Sequence, residues 1–265
     1  MNEIQTISSR ENRRLVNARK VRDGKVPDQI FIEGRRLVSE ALSSNLEIGE
    51  CLVVEAFSDR KLLDAVCKTK SAITEIPVKI FNSIADTEHS QGIILIAKRP
   101  KTSAGTIEGS IGSAALPVVI FLNEINNPSN LGAVMRTAEA AGVALVIIST
   151  NSANAFSPKA LRSAMGASFR MLIWENAEFD QILRWADEKE LTVTAADIYA
   201  KESYLQTDWR TPRLLVLGSE AHGLSDADLK KIRATIRIPM EQDAESLNLA
   251  VSVGIILFEA RRQNI

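Results

Sequence analysis

A chain that carries PVVIFLNEINNPSNLGAVMRTAEAAGVALVIIST at residues 117–150 has few ways to fold. Residues 117–122 are a continuous apolar, largely β-branched run, short enough for a strand that is buried on both faces. The next eight residues, with Asn123, Asn126, Asn127, Pro128, Ser129 and Asn130 among them, are loop and cap formers. Residues 131–141 are helix formers apart from Gly132, Gly142 stands where a helix C′ residue stands, and residues 144–149 are a second buried strand. Ligands of open α/β sheets bind outside the carboxyl ends of the strands, where helix N-termini present free N–H groups. Asn130 falls at such an end. Arg136 falls near mid-helix among Ala, Val, Met and Thr, where a solvated helix-face residue and a ligand-binding cation are equally good readings of this segment alone.

A length of 265 residues allows one large domain or two ordinary ones. The composition, 45% hydrophobic and 25% charged, is that of a globular chain, and no apolar run approaches the roughly 18 to 20 residues that span a bilayer. The opening MNEIQTISSRENRR has no apolar h-region, so no secretory signal and no membrane partner are expected, and a cytoplasmic location follows. Cys51 and Cys67 belong to no CxxC pair and read as small core residues rather than a disulfide. His89 and His222 are far apart in sequence, and no metal site is expected. The net charge of −1 conceals an asymmetry: residues 1–36 hold nine basic and five acidic residues, a net of +4 against −5 for the remainder. A basic N-terminal segment on an otherwise acidic chain suggests contact with a polyanion, a solvated helix face being the plainer alternative.

Along the chain, residues 8–22 predict a first helix capped by Ser8 or Ser9. Strands at 29–33, 51–55, 78–81 and 93–97 then alternate with helices at 35–43 and 61–68, the pattern of a small α/β domain. Residues 101–115, KTSAGTIEGSIGSAA, read as an interdomain linker, which places a first domain at 1–100 and a second at 116–265. In the second domain, strands are predicted at 171–174, 191–196, 213–217 and 234–238. Helices are predicted at 157–164, 177–189, 226–232 and 246–262.

Three loops of this domain, at 123–130, 218–225 and 239–245, follow strands and precede helices, so they can converge on one site. GxGxxG after a first strand, GxxxxGK followed by Ser or Thr, the glycine cluster of common open-sheet methyltransferases and a GxSxG elbow are all missing. What remains is a ligand held largely by backbone groups in loops.

The segments NEINNPSNLGAVMRTAEAAG (123–142), LGSEAHGL (217–224) and IPMEQDAESLNLAVSVGIILFEARRQ (238–263) resemble, in order and spacing, the three signature motifs of the SpoU, or TrmH-type, RNA 2′-O-ribose methyltransferases of the SPOUT superfamily. Residues 8–97, above all IFIEGRRLVSEAL, are more loosely similar to the ribosomal-protein-like substrate-binding domain that many members carry. The resemblance implies a C-terminal α/β domain with a mainly parallel sheet and a trefoil knot, preceded by a smaller α/β RNA-binding domain. It implies S-adenosylmethionine as methyl donor, a homodimer, and an RNA substrate, with large-subunit ribosomal RNA favoured over transfer RNA. Carried over residue by residue, it makes Asn130, Arg136, Glu220, Ser246 and Asn248 the catalytic set. Leu217, Gly218, Glu220, Ile238, Met240, Ser246 and Leu247 become the cofactor contacts. Arg10, Arg13, Arg14, Arg19 and Arg35 are the candidate RNA contacts of the basic segment. Gln242 or Asp243 departs from the glycine that many members have in the third motif. Arg136 stays open between a proton acceptor and a phosphate clamp, since a guanidinium holds its proton to a pKa above about 12. A knotted RNA-binding protein without transfer activity is the competing class.

Overall fold

Apolar runs set the strands, and polar turn residues set where they stop. The computed structural model describes residues 4–101, 115–241 and 246–265. The linker expected at 101–115 lies, for residues 102–114, outside the described residues, as do Gln242 and Asp243. The chain divides into two units, one of Met1–Pro100 with Ala155–Arg170, the other of Lys101–Asn154 with Met171–Ile265.

In the first unit the elements are β1 (Ile4–Thr6), α1 (Arg13–Arg22), β2 (Gln29–Glu33), α2 (Arg35–Ser43), β3 (Ile48–Val54), α3 (Arg60–Cys67), β4 (Ala72–Ile76), α4 (Val78–Phe81) and β5 (Ile93–Lys98). The sheet order is β1-β4-β3-β5-β2, parallel from β1 to β3 and antiparallel on both sides of β5. Leu15, Ala18 and Val21, spaced for one face of α1, join Phe31, Leu52, Ile76 and Phe81 in its core. Three expectations are corrected here. Helix α1 starts at Arg13 rather than at the expected Ser8, because Asn12, not Ser9, caps it by accepting from Arg14 N at 2.9 Å. Val78–Phe81, expected as a strand, is a helical turn; the strand is Ala72–Ile76, and Pro77 ends it by fixing its own φ and opening the turn. Cys67 is exposed, since Leu62, Leu63 and Val66 already form the buried face of α3, while Cys51 is in the core and burial pushes its thiol up to about 12.

In the second unit, β6 (Val118–Leu122), α5 (Pro128–Ala141) and β7 (Leu145–Ser149) are the strand, helix and strand legible at 117–150. Helices α6 (Pro158–Ala164) and α7 (Ala167–Arg170), which group with the first unit, come next along the chain. The second unit resumes with β8 (Leu172–Ala177), α8 (Phe179–Glu188), β9 (Thr192–Ala196), β10 (Glu202–Ser203), β11 (Arg213–Leu217), α9 (Asp226–Leu229), β12 (Ala234–Arg237) and α10 (Leu249–Gln263). All seven strands are parallel, in the order β10-β12-β9-β11-β6-β7-β8. Every residue of β6 and β7 is buried, as a sheet covered on both faces requires. Asn130, expected in the loop, lies in the first turn of α5, because Asn127 caps that helix and Pro128 opens it. Likewise Ser246 precedes α10 rather than starting it, and Asn248 is the cap.

Helix α10 is stapled at its far end. Gln263 accepts from Trp209 N at 2.9 Å and donates to Thr207 O at 3.1 Å, while Asn264 donates to Trp209 O at 3.1 Å. Trp209 itself is fully buried. Beside them Glu259 accepts two bonds from Arg262, at 2.7 and 2.8 Å, and one from Gln263 at 2.8 Å. Arg262 first and Gln263 second hold its carboxyl down to about 2, from an ordinary 4.5. Between those values the unfolded chain binds a proton that the folded chain does not. The stabilisation is therefore complete above the ordinary value and is lost as pH falls towards about 2. Glu259→Gln is expected to flatten the acid limb of unfolding free energy against pH across that window. An acid limb identical to wild type in urea titrations would refute this role.

Candidate active site

Strand β6 leads to β7 and β8 on one side, whereas β11 borders β9, β12 and β10 on the other, so the strand order reverses between β6 and β11. Ligand crevices open at such reversals, beyond the carboxyl ends of the strands. Leu217 pairs with Leu122, and Asn123 N donates to Leu217 O at 2.8 Å, so the loops after the two strands leave side by side.

The loop after β6 is fixed from β7. Glu124 N donates to Ser149 Oγ at 2.8 Å and Ile125 N to Ser152 Oγ at 3.1 Å, and the two hydroxyls lie 3.0 Å apart. Glu124 takes a φ of 58°, a left-handed conformation held by these bonds. Sequence reasoning passed over Ser149 and Ser152. The available signal was the polar run 149–152 closing an otherwise apolar strand.

The loop after β11 turns back on itself: Ser219 N donates to Gly223 O at 3.1 Å, and Gly223 N to Ser219 O at 2.9 Å. A Cβ on Gly218 would lie 2.2 Å from the carbonyl carbon of Gly223, so only glycine fits there. At the tip, the Glu220 carboxylate accepts from Asn126 N at 3.3 Å, Asn127 N at 3.4 Å and Asn130 Nδ2 at 3.1 Å. A carboxylate on the N-terminus of α5 is favourably placed against the helix dipole. Asn130 Oδ1 in turn accepts from Asn248 Nδ2 at 3.0 Å, and Asn248 Oδ1 accepts from Ala250 N at 2.9 Å as the cap of α10. A directed chain, Asn248 to Asn130 to Glu220, thus joins three turns separated by 118 and 90 residues along the polypeptide.

Three of the five expected catalytic residues, Asn130, Glu220 and Asn248, are therefore in one cluster. Ser246 is exposed two residues before Asn248. Arg136 is exposed and has no hydrogen bond or ion pair among the described residues. Six residues beyond Asn130 on the same helix, it lies about 9 Å further along and about 120° round the axis, outside the cluster. Of the expected cofactor contacts, Leu217 and Gly218 are buried at the end of β11, Ile238 and Met240 are half-buried after β12, and Leu247 is exposed ahead of α10. Because the sheet is parallel, Leu217, Gly218, Ile238 and Met240 lie at or beyond the same carboxyl edge, and the Asn248 to Asn130 bond ties the turn that holds Leu247 to it. Among the described residues, no group of three or more His, Cys, Asp or Glu is placed to hold a metal ion, and no helix is long and apolar enough to cross a membrane.

The candidate RNA contacts in the first unit fall into two sorts. Arg14 donates to Thr74 Oγ1 at 2.9 Å and lies 3.6 Å from Glu50; Arg19 donates to Arg10 O at 2.7 Å. Arg35 donates to Ser58 Oγ at 2.9 Å with its guanidinium 5.2 Å from the Phe57 ring centroid. The Arg10 and Arg13 side chains are exposed.

Comparison with known proteins places this geometry. The chain is similar to the 23S rRNA (guanosine(2553)-2′-O)-methyltransferase RlmP of Bacillus subtilis, at 26% identity over 97% of this chain and 100% of that protein. It is 27% identical to the mitochondrial rRNA methyltransferase 3A of Danio rerio over 89% of this chain, and spans 64% of that longer protein. The crystal structure of an AdoMet-bound rRNA methyltransferase from Sinorhizobium meliloti superposes with a TM-score of 0.84, at 25% identity over 99% of each chain. A family model for RNA 2′-O ribose methyltransferase substrate binding matches residues 31–103. The model of the SpoU rRNA methylase family matches residues 117–258, which hold the whole cluster of Asn130, Glu220 and Asn248, and the chain belongs to that family.

Proposed function

We propose that this protein transfers a methyl group from S-adenosylmethionine to a ribose 2′-hydroxyl of ribosomal RNA, with residues 116–265 as the transferase domain and residues 1–100 engaging the RNA. The observation that carries the reading is the Asn248, Asn130 and Glu220 chain of bonds at the point where the strand order reverses, inside the matched family segment. The AdoMet-bound and 23S rRNA-directed relatives supply the donor and the substrate class.

The residues present fit that donor. Ile238, Met240 and Leu247 offer apolar surface for an adenosine, and residues 239–241 and 246–247 make no backbone hydrogen bond among the described residues, which leaves their peptide groups for a ligand. When bound, the cofactor supplies an electrophilic methyl on a sulfonium. The chain's own task is to orient the attacking hydroxyl and to ease the departure of its proton. Asn130 and Asn248 are neutral amides fixed by their mutual bond, and suit ribose positioning. Glu220, accepting from Asn126, Asn127 and Asn130, holds the first two turns in register. Ser246, exposed and without a hydrogen bond among the described residues, suits cofactor or ribose binding. Arg136 is assigned the phosphate next to the target ribose.

A homodimer is part of the proposal. Val251 and Phe258, each 50% exposed and seven residues apart on one face of α10, with Leu247, 38% exposed, just ahead of the helix, offer apolar surface that a second copy would cover. Arg136, one face round from the amide cluster, suits a site completed by that copy. The trefoil knot of the family and a cytoplasmic location complete the reading.

The direct test is incubation of the protein with labelled S-adenosylmethionine and ribosomal RNA, followed by alkaline cleavage. The expected product resists cleavage at one position. A label confined to a base, or no binding of the cofactor, would end the reading.

A further inference from the structure

We propose that the groove between α2 and α3 binds the sugar-phosphate backbone of a paired RNA segment; this rests on the RNA-directed reading above and adds the surface and the form of RNA. The groove has a volume of about 790 Å3 and is lined by Arg35, Arg36, Lys61 and Lys68. The one carboxylate in its lining, Asp59, is engaged in the fold, accepting from Leu62 N at 3.1 Å as the cap of α3. Four cations therefore face a single carboxylate. Lys61 in the first turn of α3 and Lys68 at its C-cap are seven residues apart, which puts them on one face about 10 Å apart, a spacing for an extended polyanion rather than a single phosphate.

Sequence alone pointed to the basic segment, with Arg10, Arg13, Arg14, Arg19 and Arg35 as candidates, and of these Arg35 lines the groove. Three arginines of α1 are drawn into the fold, Arg14 to Thr74 and Glu50, Arg19 to Arg10 O, and Arg22 to the carbonyls of Ile84 and Ala85, while Arg13 stays exposed. The cations of the α2–α3 groove are less committed. Lys61 and Lys68 are exposed and make no hydrogen bond or ion pair among the described residues, and Arg35 is steadied by Phe57 and Ser58 while remaining exposed.

The lining also argues against a single-stranded ligand. Single-stranded RNA is gripped by stacking its bases on aromatic side chains, and no aromatic residue is in the lining. A paired segment presents phosphates and hides its bases, which matches a groove that carries four cations and no aromatic side chain in its lining.

The test uses the full chain with two fluorescent probes, an RNA hairpin and an unpaired oligonucleotide of equal length. Wild type is expected to prefer the hairpin. Lys61→Ala with Lys68→Ala should weaken hairpin binding about tenfold near physiological salt and reduce the slope of log K against log salt by about 2, one for each lysine that no longer meets a phosphate. Thermal melting and S-adenosylmethionine affinity should stay at wild-type values, and Lys189→Ala, which removes a surface cation of the second unit, should leave the slope unchanged. Hairpin affinity and slope unmoved by the double substitution, or tighter binding of the unpaired strand, would overturn the proposal. No cofactor binding by wild type, with hairpin binding intact and sensitive to the double substitution, would sink the methyltransferase reading and leave the groove standing.

Discussion

Gly218→Ala is expected to raise the dissociation constant for S-adenosylmethionine at least about 100-fold, or about 2.7 kcal/mol, and to abolish methyl transfer. The added methyl would sit 2.2 Å from the carbonyl carbon of Gly223 and 2.3 Å from Leu224 N, both backbone atoms of the same turn. Backbone cannot swing aside as a long side chain can, so the turn must open. Opening it breaks the Ser219 and Gly223 pair and withdraws Glu220 from Asn126, Asn127 and Asn130. Overpacking of this kind costs about 1–3 kcal/mol of stability, too little to unfold a domain of ordinary stability. Isothermal titration with the cofactor, beside a thermal melt, separates the two effects. A variant that binds the donor as wild type does would show that the turn has no part in the pocket.

The second large effect is expected at Arg136. Arg136→Ala should lower kcat roughly 1000-fold, at the upper end of what losing one preorganised charged or hydrogen-bonding group costs an enzyme, with cofactor affinity within about twofold of wild type. Arg136→Lys should keep activity within about tenfold, because an ammonium still pairs with a phosphate as a point charge. That pattern belongs to a clamp. The side chain, exposed and without a polar partner among the described residues, suits it, whereas a guanidinium is a poor proton acceptor. Single-turnover rates for the two variants decide the matter: a lysine variant as slow as the alanine variant would require fork geometry or proton acceptance instead.

Where apolar pattern and turn chemistry agree, the fold was legible. Arg213–Leu217 was read to the residue, and Gly142 closes α5 in the left-handed conformation that glycine favours. Where two nearby residues compete for one cap, it was not. Ser9 and Asn12, or Ser246 and Asn248, offer similar side chains, and only the path of the preceding chain decides which one reaches the helix amides. The short strands Ile4–Thr6 and Glu202–Ser203 escaped because pairing at a sheet edge, not local propensity, makes them strands. At the site, the residue types were readable from the three motifs, but their order of bonding was not. Nothing in the spacing says that Asn130 sits between Glu220 and Asn248, accepting from one and donating to the other. The hydroxyls of Ser149 and Ser152 were marked only by the polar run that closes β7, which says that a strand ends there but not that its side chains fix a neighbouring loop.

The bond from Asn248 to Asn130 closes a loop of 118 residues, and its donor is the residue that opens the last helix. A polypeptide emerges from its N-terminus, so Asn130 and Glu220 wait through the rest of translation for the amide that completes them. A nascent chain from which residue 248 has not yet emerged would lack the α10 cap and, with it, the fixed Asn130. The cluster is therefore assembled only once residue 248 has emerged, after both of the turns that it ties together.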